Sequence, residues 1–226
     1  MRMPNEILPA VELETQPNPN AAVIWMHGLG ADGNDFVPIV NELALPDSFG
    51  VRFVFPHAPT RPVTINNGHV MRAWYDIVGS DLTDRGDETG IRDSQQRIEQ
   101  LIAREKTRGI AASRLVLAGF SQGGVVALQT GLRHPERLAG IMALSTYLAM
   151  PQSLAAEANA ANRDVPILMA HGTADPMIQF AWADSSRRTL EAQGYKVEWH
   201  AYPMQHSVCL EEVADIGRWL RQVLPG

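Results

Sequence analysis

The sequence has few features of a secreted or membrane-spanning protein. It contains one cysteine, Cys209, among 226 residues, which excludes an intrachain disulfide and is typical of a reducing compartment. No segment approaches the roughly 20 consecutive apolar residues of a membrane-spanning helix. The N-terminal segment 1–20 is broken by prolines and lacks an apolar stretch behind a basic start, unlike a secretory signal. We therefore expect a cytoplasmic protein with no stable membrane insertion.

Positive charge is also scarce. The 19 lysines and arginines are outnumbered by 25 aspartates and glutamates, which gives a net charge of −6. Because nucleic acids are bound through clustered Lys and Arg side chains, this balance argues against a nucleic-acid partner. The histidines show no H-E-x-x-H or comparable ligand spacing, so we expect no metal site.

Short apolar runs alternate with longer segments of helical period along the whole chain. Continuous apolar runs such as 167–170 lack polar alternation, which is typical of strands covered on both faces. The pattern predicts an α/β fold with a mostly parallel central sheet and helices on both faces, in a single domain over residues 1–226. The predicted strands are 22–27, 52–55, 114–118, 139–144, 166–170 and 196–202. The predicted helices are 34–44, 91–106, 122–132, 180–193 and 210–223.

Two segments do not follow this alternation. Residues 56–90 contain several prolines and a Trp74-Tyr75 pair, while residues 146–164 are rich in Ala and Asn and have room for at most a short helix. Long irregular segments of a compact domain often carry function. We expect both segments to form the walls of a pocket, with Trp74 as a substrate-binding residue. The alternative is that Trp74 is an ordinary core aromatic.

One motif predicts a nucleophile. Residues 119–123 read G-F-S-Q-G, after the apolar run 115–118 and before the apolar residues 125–128, so this G-x-S-x-G pattern lies on a strand-to-helix turn. In that context the serine hydroxyl is exposed at the sheet edge, and the helix dipole favours negative charge beside it. A plain N-cap serine is the alternative. The combination of strand, turn and helix favours Ser121 as the nucleophile.

A nucleophilic serine needs a base and an orienting acid, and in this kind of fold the acid precedes the histidine along the chain. Asp175 follows the predicted strand 166–170, and His206 lies between the last predicted strand and the last helix. Both loops lie at the carboxyl ends of parallel strands, where active sites gather. Alone, either residue would be read as an ordinary loop residue. Together with Ser121 they predict a Ser-His-Asp catalytic triad.

The segment 27–33 reads H-G-L-G-A-D-G and matches the G-x-G-x-x-G pattern of dinucleotide-binding folds. That interpretation requires an acidic residue at the end of the next strand, where the sequence instead reads V-F-P-H at 54–57. We favour an oxyanion-binding loop, in which the backbone N–H groups of Leu29 and Gln122 face the developing negative charge. Because these donors are backbone groups, we expect the Gln122 side chain to be dispensable.

Taken together, these motifs resemble the phospholipase/carboxylesterase family of α/β-hydrolases, which includes bacterial carboxylesterases and acyl-protein thioesterases. The similarity runs in order from about residue 22 to about residue 220 and includes A-P-T-R-P-V-T-I-N at 58–66, W-Y-D at 74–76 and Y-P-M-Q-H at 202–206. It implies a compact α/β-hydrolase fold with no large cap domain, with the same triad and the same two oxyanion donors. It also implies activity without a cofactor and, in some members, a homodimer.

The chemistry that these residues support is acyl transfer from a small-molecule ester or thioester to Ser121, followed by hydrolysis of the acyl-enzyme. Because no segment remains for a substantial lid, we expect an open groove and a serine carboxylesterase acting on short to medium acyl esters. The first alternative is an acyl-protein thioesterase or lysophospholipase. A non-catalytic binding protein with a hydrolase fold is an alternative from another class, and a broken triad would be its sign.

The triad interpretation is tested at its nucleophile. Replacing Ser121 by alanine removes the attacking oxygen, so we expect Ser121→Ala to abolish ester hydrolysis while the circular dichroism spectrum stays unchanged. A fluorophosphonate probe should label Ser121 and leave Cys209 unmodified, as read by peptide mass spectrometry. Near-wild-type hydrolysis by Ser121→Ala would mean that another residue is the nucleophile.

Overall fold

The computed structural model describes residues 7–79 and 87–224. The strands are β1 (Ala10–Glu14), β2 (Ala21–Met26), β3 (Val51–Pro56), β4 (Thr60–Val63), β5 (His69–Arg72), β6 (Leu115–Phe120), β7 (Gly140–Leu144), β8 (Ile167–Gly172) and β9 (Val197–Tyr202). The α-helices are α1 (Ile39–Glu42), α2 (Glu88–Thr107), α3 (Gln122–Gly131), α4 (Pro151–Glu157), α5 (Phe180–Ala192) and α6 (Leu210–Val223).

The strands form a central sheet and a separate hairpin. The sheet has seven strands in the order β1-β3-β2-β6-β7-β8-β9, and the hairpin consists of β4 and β5. β1 pairs antiparallel with β3, whereas every other neighbouring pair in the sheet is parallel. The prediction of a mostly parallel central sheet is therefore confirmed, and this topology is that of the α/β-hydrolase fold.

The core lies in two layers, one on each face of the sheet. Along β2, Ile24 packs into one layer and Val23 and Trp25 into the other, because successive side chains of a strand point to opposite faces. Helices α2 and α3 contribute Ile98 and other buried side chains to the first layer, while α1 and α6 contribute Ile216 and others to the second. Because helices cover both faces of the sheet, the central strands are apolar at nearly every position.

Two predicted features differ from the structure. Only Ile39–Glu42 of the predicted helix 34–44 is helical, because the Asp32 carboxylate accepts the Asn34 N–H at 2.7 Å and turns the chain before the helix begins. The antiparallel edge strand β1 is an additional strand that was not among those predicted. In the segment 56–90 the structure has the β4–β5 hairpin, and residues 80–86 lie outside the described part of the chain.

The segment 146–164 holds the short helix α4 and a single 3₁₀ turn at Ala160–Asn162, close to the prediction of at most a short helix. Between the strands of the described chain lie single helices, turns and one hairpin, and none of these segments forms a large cap domain. Within residues 7–79 and 87–224, no helix combines the length and apolarity needed to cross a bilayer.

One carboxyl group is buried at the start of α6. The Glu212 side chain is fully buried, and burial raises its pKa to about 8. The backbone N–H of Cys209 opposes this shift and the nearby Asp215 carboxylate adds to it. Because the folded-state pKa exceeds the ordinary value of 4.5, folding favours the protonated acid. This contribution to stability is complete below pH 4.5 and is lost progressively as the pH rises to about 8.

This pH dependence can be isolated with an isosteric variant. Glu212→Gln keeps the side-chain shape and removes the ionisation, so its free energy of unfolding should exceed that of the wild type increasingly from about pH 5 to about pH 8. The expected slope of the difference is up to about 1.4 kcal/mol per pH unit, measured by urea denaturation. The exposed neighbour Glu211 is the control, and Glu211→Gln should follow the wild type. Parallel curves for wild type and Glu212→Gln would show that Glu212 ionises equally in both states.

Candidate active site

Ser121 occupies a sharp turn between β6 and α3. Its backbone has φ 55° and ψ −119°, a conformation that residues other than glycine rarely adopt and that persists only where the surroundings hold it. The Ser121 N–H donates to the Leu144 carbonyl at 2.9 Å, and the Thr146 hydroxyl donates to the Ser121 carbonyl at 2.7 Å. The strained residue is thus fixed from the neighbouring strand β7 and the loop after it.

The two glycines of the motif allow α3 to approach the sheet. A Cβ atom on Gly119 would lie 2.1 Å from the backbone of Gly123, and a Cβ on Gly123 would lie 2.2 Å from the Met26 carbonyl oxygen. Contacts this short with backbone atoms cannot be relieved by a side-chain movement. Glycine at both positions is therefore what places Ser121 at the carboxyl edge of β2 and β6.

The predicted acid and base are hydrogen-bonded to each other. His206 Nδ1 lies 2.7 Å from Asp175 Oδ2, and the Asp175 side chain is completely buried. The other carboxylate oxygen of Asp175 accepts the backbone N–H groups of Met177 at 2.8 Å and Ile178 at 2.9 Å. On its other side the His206 ring packs against Phe120, with ring centroids 4.8 Å apart. These contacts orient the imidazole, which is the role of the acid in a triad.

A second buried histidine supports the loop that carries Asp175. His171 Nε2 donates to the Ile178 carbonyl at 2.8 Å and lies 3.5 Å from Asp175 Oδ2. Burial lowers the pKa of His171 below its usual range and so favours the neutral ring. His171 is therefore a structural hydrogen-bond donor.

One cavity of about 380 Å³ is lined by Ser121, His206, Leu29 and Gln122. Gln122 is the first residue of α3, where a helix leaves its first N–H groups without intrahelical acceptors. The Leu29 N–H donates to no other backbone carbonyl of the described residues. The remaining wall is mostly apolar and includes Ile65, Tyr75, Ile77, Tyr147, Met177 and Ile178. The structure thus brings the predicted nucleophile, base and amide donors together at one apolar cavity.

The loop that carries Leu29 is held by a buried histidine. His27 Nε2 accepts the Ala58 N–H at 3.1 Å, which leaves the ring proton on Nδ1, where it donates to the Gly28 carbonyl at 2.7 Å. Burial lowers the pKa of His27 to about 4, so the ring is neutral at physiological pH. The His27 carbonyl in turn accepts the Trp74 indole N–H at 2.8 Å.

Comparison with known proteins places the chain among serine hydrolases. The model of the phospholipase/carboxylesterase family matches residues 8–224. This chain belongs to that family. It is 40% identical to acyl-protein thioesterase 1 of Neurospora crassa, over 99% of this chain and 93% of that protein. It is 37% identical to acyl-protein thioesterase 1 of Yarrowia lipolytica, over 95% and 96% of the two chains. The solved structure of SOBER1 from Arabidopsis thaliana superposes with a TM-score of 0.85 at 30% identity, covering 90% of this chain and 99% of that one.

In this family member, Trp74 is not part of the cavity wall. The Trp74 side chain is 0% exposed and lies outside the set of described residues that line the cavity. An indole ring that finds a buried hydrogen-bond acceptor, here the His27 carbonyl, can pack entirely inside the protein. The expectation that Trp74 contacts substrate is therefore corrected, and the neighbouring Tyr75 lines the cavity instead.

The Gln122 side chain has a structural task that the sequence analysis missed. Its carbonyl oxygen accepts the Trp74 N–H at 3.1 Å, and its amide nitrogen donates to the Tyr75 carbonyl at 2.9 Å. The side chain therefore binds the backbone that carries one wall of the cavity. Such a bond between residues distant along the chain leaves no local pattern in the sequence.

Gln122→Ala tests this second task. The variant keeps its own backbone N–H but loses both side-chain hydrogen bonds, and each is worth about 1 kcal/mol. We expect kcat/KM for an octanoyl ester to fall by up to about 30-fold, the equivalent of both hydrogen bonds, with a smaller loss on an acetyl ester that does not need the wall. Gln129→Ala is the matched control, since Gln129 is also buried in α3 but binds Gln95. If Gln122→Ala matched the wild type on both esters, the wall would be held without this side chain.

Proposed function

We propose that this serine hydrolase removes acyl groups from S-acylated cysteines of peptides or proteins. The observation that carries this proposal is its similarity to relatives named acyl-protein thioesterase 1, which are 36% to 40% identical over at least 92% of the chain. The apolar cavity beside Ser121 supports the proposal, because an acyl chain needs apolar cover. The same residues would also hydrolyse oxygen esters.

In the proposed mechanism His206 accepts the Ser121 proton as Oγ attacks the thioester carbonyl carbon. Asp175 holds the imidazole and stabilises its protonated form. The backbone N–H groups of Leu29 and Gln122 donate to the oxyanion of the tetrahedral intermediate. When the intermediate collapses, the carbon–sulfur bond breaks and His206 gives its proton to the leaving thiolate. Water, activated by the same histidine, then hydrolyses the acyl-Ser121 ester.

A second candidate function is carboxylesterase activity on short to medium acyl esters. It is favoured by the exposure of the cavity rim, where Ile65 is 41% and Met177 59% exposed, so that the far end of a bound acyl chain would reach solvent. Each buried methylene contributes about 0.8 kcal/mol to the binding free energy. A groove that opens to solvent a short distance from Ser121 gains nothing from methylenes beyond that opening. This candidate and the thioesterase share one acyl-enzyme and differ in the leaving group.

The two candidates are separated by substrates with the same acyl group. We would compare S-octanoyl-cysteine and O-octanoyl-serine in one peptide sequence, together with a short-chain nitrophenyl ester and a monomeric lysophosphatidylcholine. For a thioesterase, kcat/KM should be at least about 10-fold higher on the thioester peptide than on the ester peptide. Ser121→Ala supplies the background rate for each substrate. A preference for the ester peptide or for the lysolipid would contradict the proposed function.

A further inference from the structure

The proposed mechanism assigns the two sides of the reacting carbonyl. The proton that His206 takes from Ser121 goes to the leaving group, so the leaving group must lie beside His206. In this arrangement the acyl chain would lie along the apolar wall of the cavity, which contains Tyr75 and Ile77. The surface next to His206 therefore faces whatever carries the acylated sulfur or oxygen.

A second groove begins at this side of the site. It has a volume of about 500 Å³ and lies between α1 and the start of α6, with Phe36, Ile39, Val208 and Leu210 among its lining residues. We name it the α1/α6 groove. Asp35 lines both this groove and the catalytic cavity, so the two are adjacent.

Aromatic packing links the α1/α6 groove to the catalytic histidine. Phe36 packs against Phe120 with ring centroids 5.6 Å apart, and Phe120 packs against His206 at 4.8 Å. At the opposite wall Leu210 is 76% exposed, so its apolar side chain is accessible to a bound peptide. A leaving group that extends from Ser121 past His206 would meet the apolar side chains of this open groove.

The rim of the α1/α6 groove is acidic. Asp35 and Glu42 line it, and none of the described lining residues is basic. Neither carboxylate forms an ion pair with a residue in the described ranges. Partial burial raises the pKa of Asp35, and the neighbouring Asp32 carboxylate adds to that shift, so a cation placed beside Asp35 would relieve an existing electrostatic penalty.

We propose that the α1/α6 groove binds the polypeptide on the leaving-group side and selects substrates with Lys or Arg next to the acylated residue. The argument is charge complementarity on an apolar floor that is adjacent to the catalytic cavity. A leaving group with negative charge is disfavoured at the same rim. The proposal deepens the proposed function and rests on it for the identity of the leaving group as a peptide.

The test varies the charge beside the acylated residue while keeping the acyl group constant. Octanoyl is placed on Cys in one peptide series and on Ser in a second, with two flanking lysines, two serines or two glutamates in each. We expect kcat/KM on the lysine peptide to exceed that on the serine peptide about 10-fold at low salt, with the glutamate peptide slowest. The preference should shrink to about 2-fold at about 0.5 M salt, because exposed charges are then screened.

Charge variants locate the source of the preference. For each enzyme, kcat/KM on the lysine peptide is divided by kcat/KM on the serine peptide. Glu42→Lys should lower this ratio to about 1, and the milder Glu42→Gln should reduce it. Asp93→Lys is the matched control, because Asp93 is exposed on α2 at the opposite face of the sheet. It adds the same charge and should keep the wild-type ratio.

The outcomes separate this proposal from the proposed function. Equal kcat/KM on the lysine, serine and glutamate peptides in both series would overturn the groove proposal while leaving thioester hydrolysis intact. A lysine preference that Glu42→Lys keeps would also overturn it, since the preference would then arise elsewhere. If thioesters were not preferred over esters, the proposed function would fail. The ester series would then still decide whether the α1/α6 groove reads the flanking charge.

Discussion

The backbone contact between α3 and the sheet is the constraint on which the rest of the site depends. It exists because Gly119 and Gly123 have no Cβ, and any larger residue would overlap backbone atoms at about 2 Å, as the 2.1 and 2.2 Å approaches at these positions show. The contact fixes the start of α3 and with it the left-handed backbone of Ser121. It also places the first N–H of the helix at the cavity and sends the Gln122 side chain toward the backbone of residues 74–75. This one close approach thus positions the proposed nucleophile, a proposed amide donor and one wall of the cavity.

The parts of the site that would bind negative charge are held by a buried polar network. The neutral His27 ring binds backbone on both sides, and the Trp74 indole binds the His27 carbonyl. Gln122 closes the network from α3 by binding the backbone of Trp74 and Tyr75. Because the groups in this network are paired, burying them carries little penalty, and the amides at the cavity are positioned before substrate arrives. Such preorganisation lets backbone groups act as donors without reorganisation during the reaction.

The sequence predicts the elements better than the contacts between them. The parallel sheet, the helices on both faces and the positions of Ser121 and His206 follow from apolar periodicity and from motifs read within a few residues of each other. The predicted helix 34–44 was wrong because an Asp32 side chain competes for the backbone. The burial of Trp74 and the task of Gln122 depend on partners 47 residues or more away along the chain, which local patterns do not encode. Long-range hydrogen bonds, not local propensity, decide which side chains reach the substrate.

The chemistry at Ser121 does not by itself distinguish a thioester from an ester. A cysteine thiol has an ordinary pKa of about 8.5, so the thiolate is a good leaving group. An alkoxide is far more basic and must be protonated as the carbon–oxygen bond breaks. A thioester therefore demands less of His206 as a general acid than an ester does. It follows that the proposed triad and amide donors would serve both substrates, and discrimination would have to come from binding on either side of the carbonyl. On the acyl side the wall is apolar and carries the Tyr75–Tyr147 hydroxyl pair at 3.1 Å. On the leaving-group side the rim of the α1/α6 groove is acidic. The two halves of a substrate would therefore be selected by different interactions, apolar burial for the acyl chain and charge for the peptide that carries it.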